Sequence, residues 1–89
     1  MSDRYLDISY QNGRPFAAYF YLPRRPGDSA ERSQSRPGGL VVDFASDGRP
    51  IGIEITVPSA FSAEGLNALL AELHQQEATR DELRPLRAA

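Results

Sequence analysis

Cysteine is absent from the 89 residues, so neither a disulfide framework nor a thiolate metal site supports the fold or marks it for an oxidising compartment. Lysine is absent as well: all ten basic residues are arginine, a bias better explained by a genome rich in G and C than by chemistry. No apolar run approaches the length that spans a bilayer, and Met1-Ser2-Asp3-Arg4-Tyr5 lacks the basic-then-apolar pattern of a signal peptide. The cytoplasm is the expected location. Positive charge is not in surplus either. A net charge of −2 argues against a nucleic-acid binder, whose phosphate contacts call for a basic footprint, and suits a basic protein partner better.

What is present suits one packed core. With 40% hydrophobic and 25% charged residues the composition is that of a globular domain, and the length leaves no room for a second. Residues 4–10 alternate, with Leu6, Ile8 and Tyr10 on one side and Tyr5, Asp7 and Ser9 on the other, the period of a half-buried strand. Residues 15–22 repeat the pattern, setting Phe16, Ala18, Phe20 and Leu22 against Ala17, Tyr19 and Tyr21. Parity selects a three-residue loop with Gly13 in the left-handed region, because it pairs Tyr10 with Arg14 and Ile8 with Phe16. A two-residue Asn12-Gly13 turn mixes the two faces.

Residues 39–44 and 50–57 read as a second hairpin, with Leu40, Val42 and Phe44 sharing a face with Ile51, Ile53, Ile55 and Val57. A two-residue Asp47-Gly48 turn pairs Ser46 with Arg49 and Phe44 with Ile51. Between the hairpins, residues 23–38 hold three prolines, two glycines, three serines and four arginines, and read as a long flexible loop.

After Pro58, Ser62 is placed to cap a helix with Glu64 in its first turn, and Leu66, Leu69, Leu70 and Leu73 form one apolar stripe. Burying four leucines contributes about 6 to 12 kcal/mol before entropy, so this helix is expected to cover the sheet. Thr79-Arg80-Asp81-Glu82 has capping-box spacing, but little apolar surface follows it, and residues 79–89 are expected to fray. The expectation is an α+β domain over residues 1–78: a four-stranded antiparallel β-meander of two hairpins with one C-terminal α-helix packed on one face.

The face away from that helix is the candidate site. It carries Tyr5, Asp7, Tyr19, Tyr21, Asp43, Glu54 and Thr56, with Ser9, Val41 and Gly52 among them. Tyrosines supply stiff contact area and carboxylates beside them suit arginine or lysine from a partner. A solvated sheet face with scattered tyrosines explains the same pattern. Asp7, Asp43 and Glu54 lack metal-ligand spacing, and no catalytic residue, metal or cofactor is expected. His74, the only histidine, reads as a surface or rim residue. The arginines of the 23–38 loop read as solvated charge.

The run Asp47-Gly48-Arg49-Pro50-Ile51-Gly52-Ile53-Glu54-Ile55 resembles a small bacterial family known as a domain of unknown function, numbered twenty-two eighty-three, whose signature places Gly-Ile-Glu-Ile shortly after an Asp-Gly turn. Residues 17–22 and 39–44 look like that family's second and third strands. Acidic residues usual before the second strand are replaced by Arg14, Pro15 and Phe16, and the 23–38 loop is longer. The resemblance implies a small cytoplasmic protein with an antitoxin or partner-binding role, and transfers no catalytic residue. Three functions therefore stand from the sequence: a protein-interaction domain binding a basic partner, such as a small basic toxin; a self-associating homodimer; and a small metal-dependent hydrolase built on Asp43 and Glu54.

Overall fold

The computed structural model describes residues 4–88, the side chains of 87 and 88 excepted. Five antiparallel strands form one open sheet: β1 (Tyr5–Gln11), β2 (Arg14–Tyr21), β3 (Arg32–Arg36), β4 (Leu40–Phe44) and β5 (Pro50–Ile55). Their order, β1-β2-β5-β4-β3, departs from the expected meander, because β5 pairs with β2 and occupies the centre. The alternating sides hold: Ala18, Phe20, Leu22, Leu40, Val42, Phe44, Ile53 and Ile55 face one buried layer. Placing β5 centrally buries Ile51, Ile53 and Ile55 to 1% exposure or less, which an edge position would not do.

Both turns differ from expectation, and in opposite senses. Gln11 pairs with Arg14 across a two-residue turn with Asn12 at φ 54° and Gly13 at φ 77°, the primed geometry that suits strand twist. The register then shifts beyond Ser9, leaving Phe16 as an extra residue, so that Ile8 meets Ala18 and Leu6 meets Phe20. This bulge restores the parity that the short turn breaks. Phe16 is 62% exposed as a result, outside the core assigned to it. In the second hairpin Ala45 bonds the Arg49 carbonyl, a three-residue loop with Gly48 at φ 90°, and the pairing of Phe44 with Pro50 makes Ile51 the bulged residue. Val57, also assigned to the core face, lies past the end of β5 and is 49% exposed.

Part of the expected flexible loop, residues 23–38, is β3. It has no apolar residue, yet its alternation is real: Ser33 and Ser35 face one side, Arg32 and Arg36 the other. The Arg32 guanidinium lies over the Phe44 ring at 4.3 Å, and Arg36 bonds Glu72 at 2.8 Å. The Arg32 guanidinium thus covers the apolar sheet edge and the Arg36 charge is paired with Glu72, devices that hydropathy does not register.

Helix α1 (Ala63–Glu72) begins as expected, with Ser62 Oγ accepting from the Gly65 N–H at 3.1 Å. It ends with His74 in the left-handed region at φ 60° and Gln75 N–H bonding the Leu70 carbonyl at 2.8 Å, a Schellman closure. The expected frayed tail, residues 79–89, contains a second helix, α2 (Arg80–Ala88). Thr79 and Glu82 form a reciprocal capping box at 2.8 and 3.0 Å, while Leu83 and Leu86 enter the core beside Ala78. Arg4 clamps the helix to the sheet: it bonds both Glu82 oxygens, at 2.9 and 3.1 Å, reaches the Gln76 and Glu77 carbonyls, and lies 5.0 Å from the centre of the Phe20 ring.

Candidate functional site

Helices α1 and α2 both pack on the buried layer, so neither lies against the opposite face of the sheet. Strand register arranges that face in two rows. One runs Tyr5, Tyr21, Gly52, Asp43, Ser33; the next runs Asp7, Tyr19, Glu54, Val41, Ser35. Six of the seven residues singled out from the sequence therefore share two adjacent rows.

Tyr5 and Tyr21, direct cross-strand partners, stack at 4.5 Å with planes 15° apart. Tyr19 meets Tyr21 edge-on at 4.7 Å. The Tyr19 ring extends across Gly52, where a Cβ would collide with both its ring and its hydroxyl. Glycine at 52 thus opens the slot through which Tyr19 reaches the neighbouring row and donates to Asp43 Oδ2 at 2.7 Å. The other oxygen, Oδ1, accepts from Ser33 Oγ at 2.6 Å. Partial burial and the Asp43 carboxylate push the Tyr19 phenol well above its ordinary ionisation range, with Arg24 opposing them.

Asp43 is accordingly less a docking carboxylate than an internal anchor, both of its oxygens being engaged within the domain. Thr56 departs further from its expected role: its N–H and hydroxyl both bond the Gly39 carbonyl, at 2.9 and 2.8 Å, closing the sheet end. Asp7 and Glu54 behave differently. They flank Tyr19 on neighbouring strands, and neither carboxylate has a hydrogen bond or ion pair with a described residue.

Arg24 and the Ile51 carbonyl belong to the site and were not legible as members of it. Arg24 Nε donates to Ile51 O at 3.2 Å and Nη2 donates to Tyr19 Oη at 3.2 Å, while its guanidinium carbon sits 5.0 Å from the Tyr21 ring centre. The Ile51 carbonyl accepts from Leu22 N–H at 3.2 Å, continuing the β2–β5 pairing past Tyr21 and Gly52, and so faces the stretch that carries Arg24, a neighbourhood no hydrophobic pattern announces. An open cleft of about 390 Å³ lies between Tyr5, Tyr21, Leu22 and Arg24.

The fold and face define a small α+β domain with one covered and one open sheet surface. Comparison with family models, curated proteins and solved structures finds no match to this chain. Among the described residues no helix is long and apolar enough to cross a membrane.

Proposed function

We propose that the domain is a non-enzymatic protein-interaction module that binds a basic partner on its open sheet face, in the manner of an antitoxin neutralising a small basic toxin. The observation that carries this reading is the pair Asp7 and Glu54, lacking counter-ions among the described residues on either side of a three-tyrosine cluster. Interfaces favour such ground, because tyrosine contributes contact area at small entropic cost and opposed charges set register and on-rate. The resemblance of residues 47–55 to a family of unknown function, which implies a partner-binding role, supports the same reading. Co-purification from the native host, repeated with Tyr21→Ala and Glu54→Arg, tests it: partner recovery should fall in both variants, and unchanged recovery rejects this surface.

Self-association is the second reading. Tyr10, Phe16 and Val57, at 58%, 62% and 49% exposure, sit at the ends of β1, β2 and β5, and β1 leaves a sheet edge unpaired among the described residues. Size-exclusion with light scattering at micromolar concentration separates the two, since a monomer rejects the homodimer.

A further inference from the structure

We infer that Tyr21, Tyr19 and the Ile51 carbonyl form a receptor for one arginine side chain, filled by Arg24 in the isolated domain and by a partner's arginine in the complex. This rests on the proposed reading of the open face and names the side chain that face takes. The notch has the three features a guanidinium needs: an aromatic face for its plane, from Tyr21 at 5.0 Å; an acceptor for one edge, Ile51 O at 3.2 Å; and a second acceptor for the other, Tyr19 Oη at 3.2 Å.

Each feature is fixed before any ligand arrives. Tyr19 donates its O–H to Asp43 Oδ2, which leaves the oxygen lone pairs of its hydroxyl turned outward to accept. Tyr21 is braced between Tyr5 and Tyr19. The Ile51 carbonyl is held in place by accepting from Leu22 N–H at 3.2 Å, and its second lone pair serves the guanidinium. A lysine ammonium is a point charge without a plane to stack or a fork to span two acceptors, so the notch discriminates in favour of arginine.

The present occupant is weakly held. Arg24 is an exposed residue just beyond the end of β2, and both of its hydrogen bonds are long. The cleft beside it, bounded by Tyr5, Tyr21 and Leu22, gives an incoming side chain a route to the same ring while Arg24 swings into solvent. Asp7 and Glu54 in the next row then meet further basic groups of the partner. Arg24 is in this sense an internal competitor that sets a threshold for binding.

The test uses blocked amino-acid amides as probes and the ring protons of Tyr19 and Tyr21 as reporters. N-acetyl-arginine amide is titrated into wild type, Arg24→Ala and the double variant Arg24→Ala with Tyr21→Leu, with N-acetyl-lysine amide in parallel. The expected result is binding to Arg24→Ala about two- to fivefold tighter than to wild type, the range that an exposed cation–π contact allows, with lysine amide weaker and the double variant silent. Equal affinity in wild type and Arg24→Ala, or equal affinity for the two amides, overturns the inference. A tetra-arginine peptide separates the two levels of the argument. If it binds wild type and Arg24→Ala alike and is lost on Glu54→Arg, the notch is wrong and the face stands. If Glu54→Arg changes nothing, the face falls too.

Discussion

The hydroxyl of Tyr19 reaches Asp43 only by passing over the position where Gly52 would carry a Cβ. Three strands are thereby tied by one side chain, since Tyr19 lies on β2, Gly52 on β5 and Asp43 on β4. The relationship makes a small residue at 52 a requirement of the site rather than of a turn.

Gly52→Ala should therefore evict the Tyr19 ring. The expected loss is about 1 to 3 kcal/mol, the usual cost of forcing extra volume into packed surroundings. Urea unfolding followed by circular dichroism measures it, and a change within 0.3 kcal/mol would show that Tyr19 moves aside at no cost.

Asp43→Asn should lower the ionisation range of Tyr19 toward the ordinary value of 10.0, because the carboxylate is among the influences holding the phenol neutral. Ultraviolet titration of tyrosinate reads this directly. A phenol held neutral in the fold contributes stability below pH 10.0 that is lost as the pH rises through its higher folded-state value, so the variant, whose two values lie closer together, should lose less stability than wild type on going to alkali.

Glu82 carries an acid-side counterpart. Burial disfavours its charge, but Arg4 and Thr79 together outweigh that and hold the carboxyl below its ordinary 4.5. The resulting stability is fully present above pH 4.5 and drains away as the pH falls through the depressed folded-state value. Amide exchange should show α2 loosening from the sheet before β4 and β5 open, and Glu82→Gln should remove this pH dependence.

Leu83→Ala distinguishes a docked helix from a frayed tail. Leu83 is 2% exposed within the core, so truncation should cost about 2 to 5 kcal/mol. A loss under 0.5 kcal/mol would mean that α2 contributes nothing to folding.

His74→Gly acts in the opposite direction. His74 holds φ 60°, a conformation that costs an L-residue with a Cβ but not glycine. The variant should gain about 0.5 to 1 kcal/mol in urea unfolding without altering the open face.

Odd and even positions along four of the strands were enough to sort Phe20, Val42, Ile53 and Ile55 from Tyr5, Tyr19, Tyr21 and Glu54, because a strand's side chains alternate whatever lies beside it. The same local logic located Ser62 as a cap and Leu66, Leu69 and Leu70 as a buried stripe. Turn lengths were not local matters. Either hairpin loop satisfies parity once a bulge is permitted, and the bulges at Phe16 and Ile51 are set by how twisted strands fit a shared core. Strand β3 and helix α2 were hidden for a related reason: arginine guanidinium groups and a capping box do not raise hydropathy, and become stabilising only when Phe44, Glu72 and Arg4 are brought to them.

By itself, then, the chain determined which side chains share a surface, since that depends only on backbone periodicity. Tertiary structure decided which strands are neighbours, which carboxylates keep a counter-ion, and that Arg24 lies on Tyr21, because each of these needs residues far apart in sequence to meet. Charge and hydrogen bonding act over a few ångströms of space, and sequence separation carries no information about that distance.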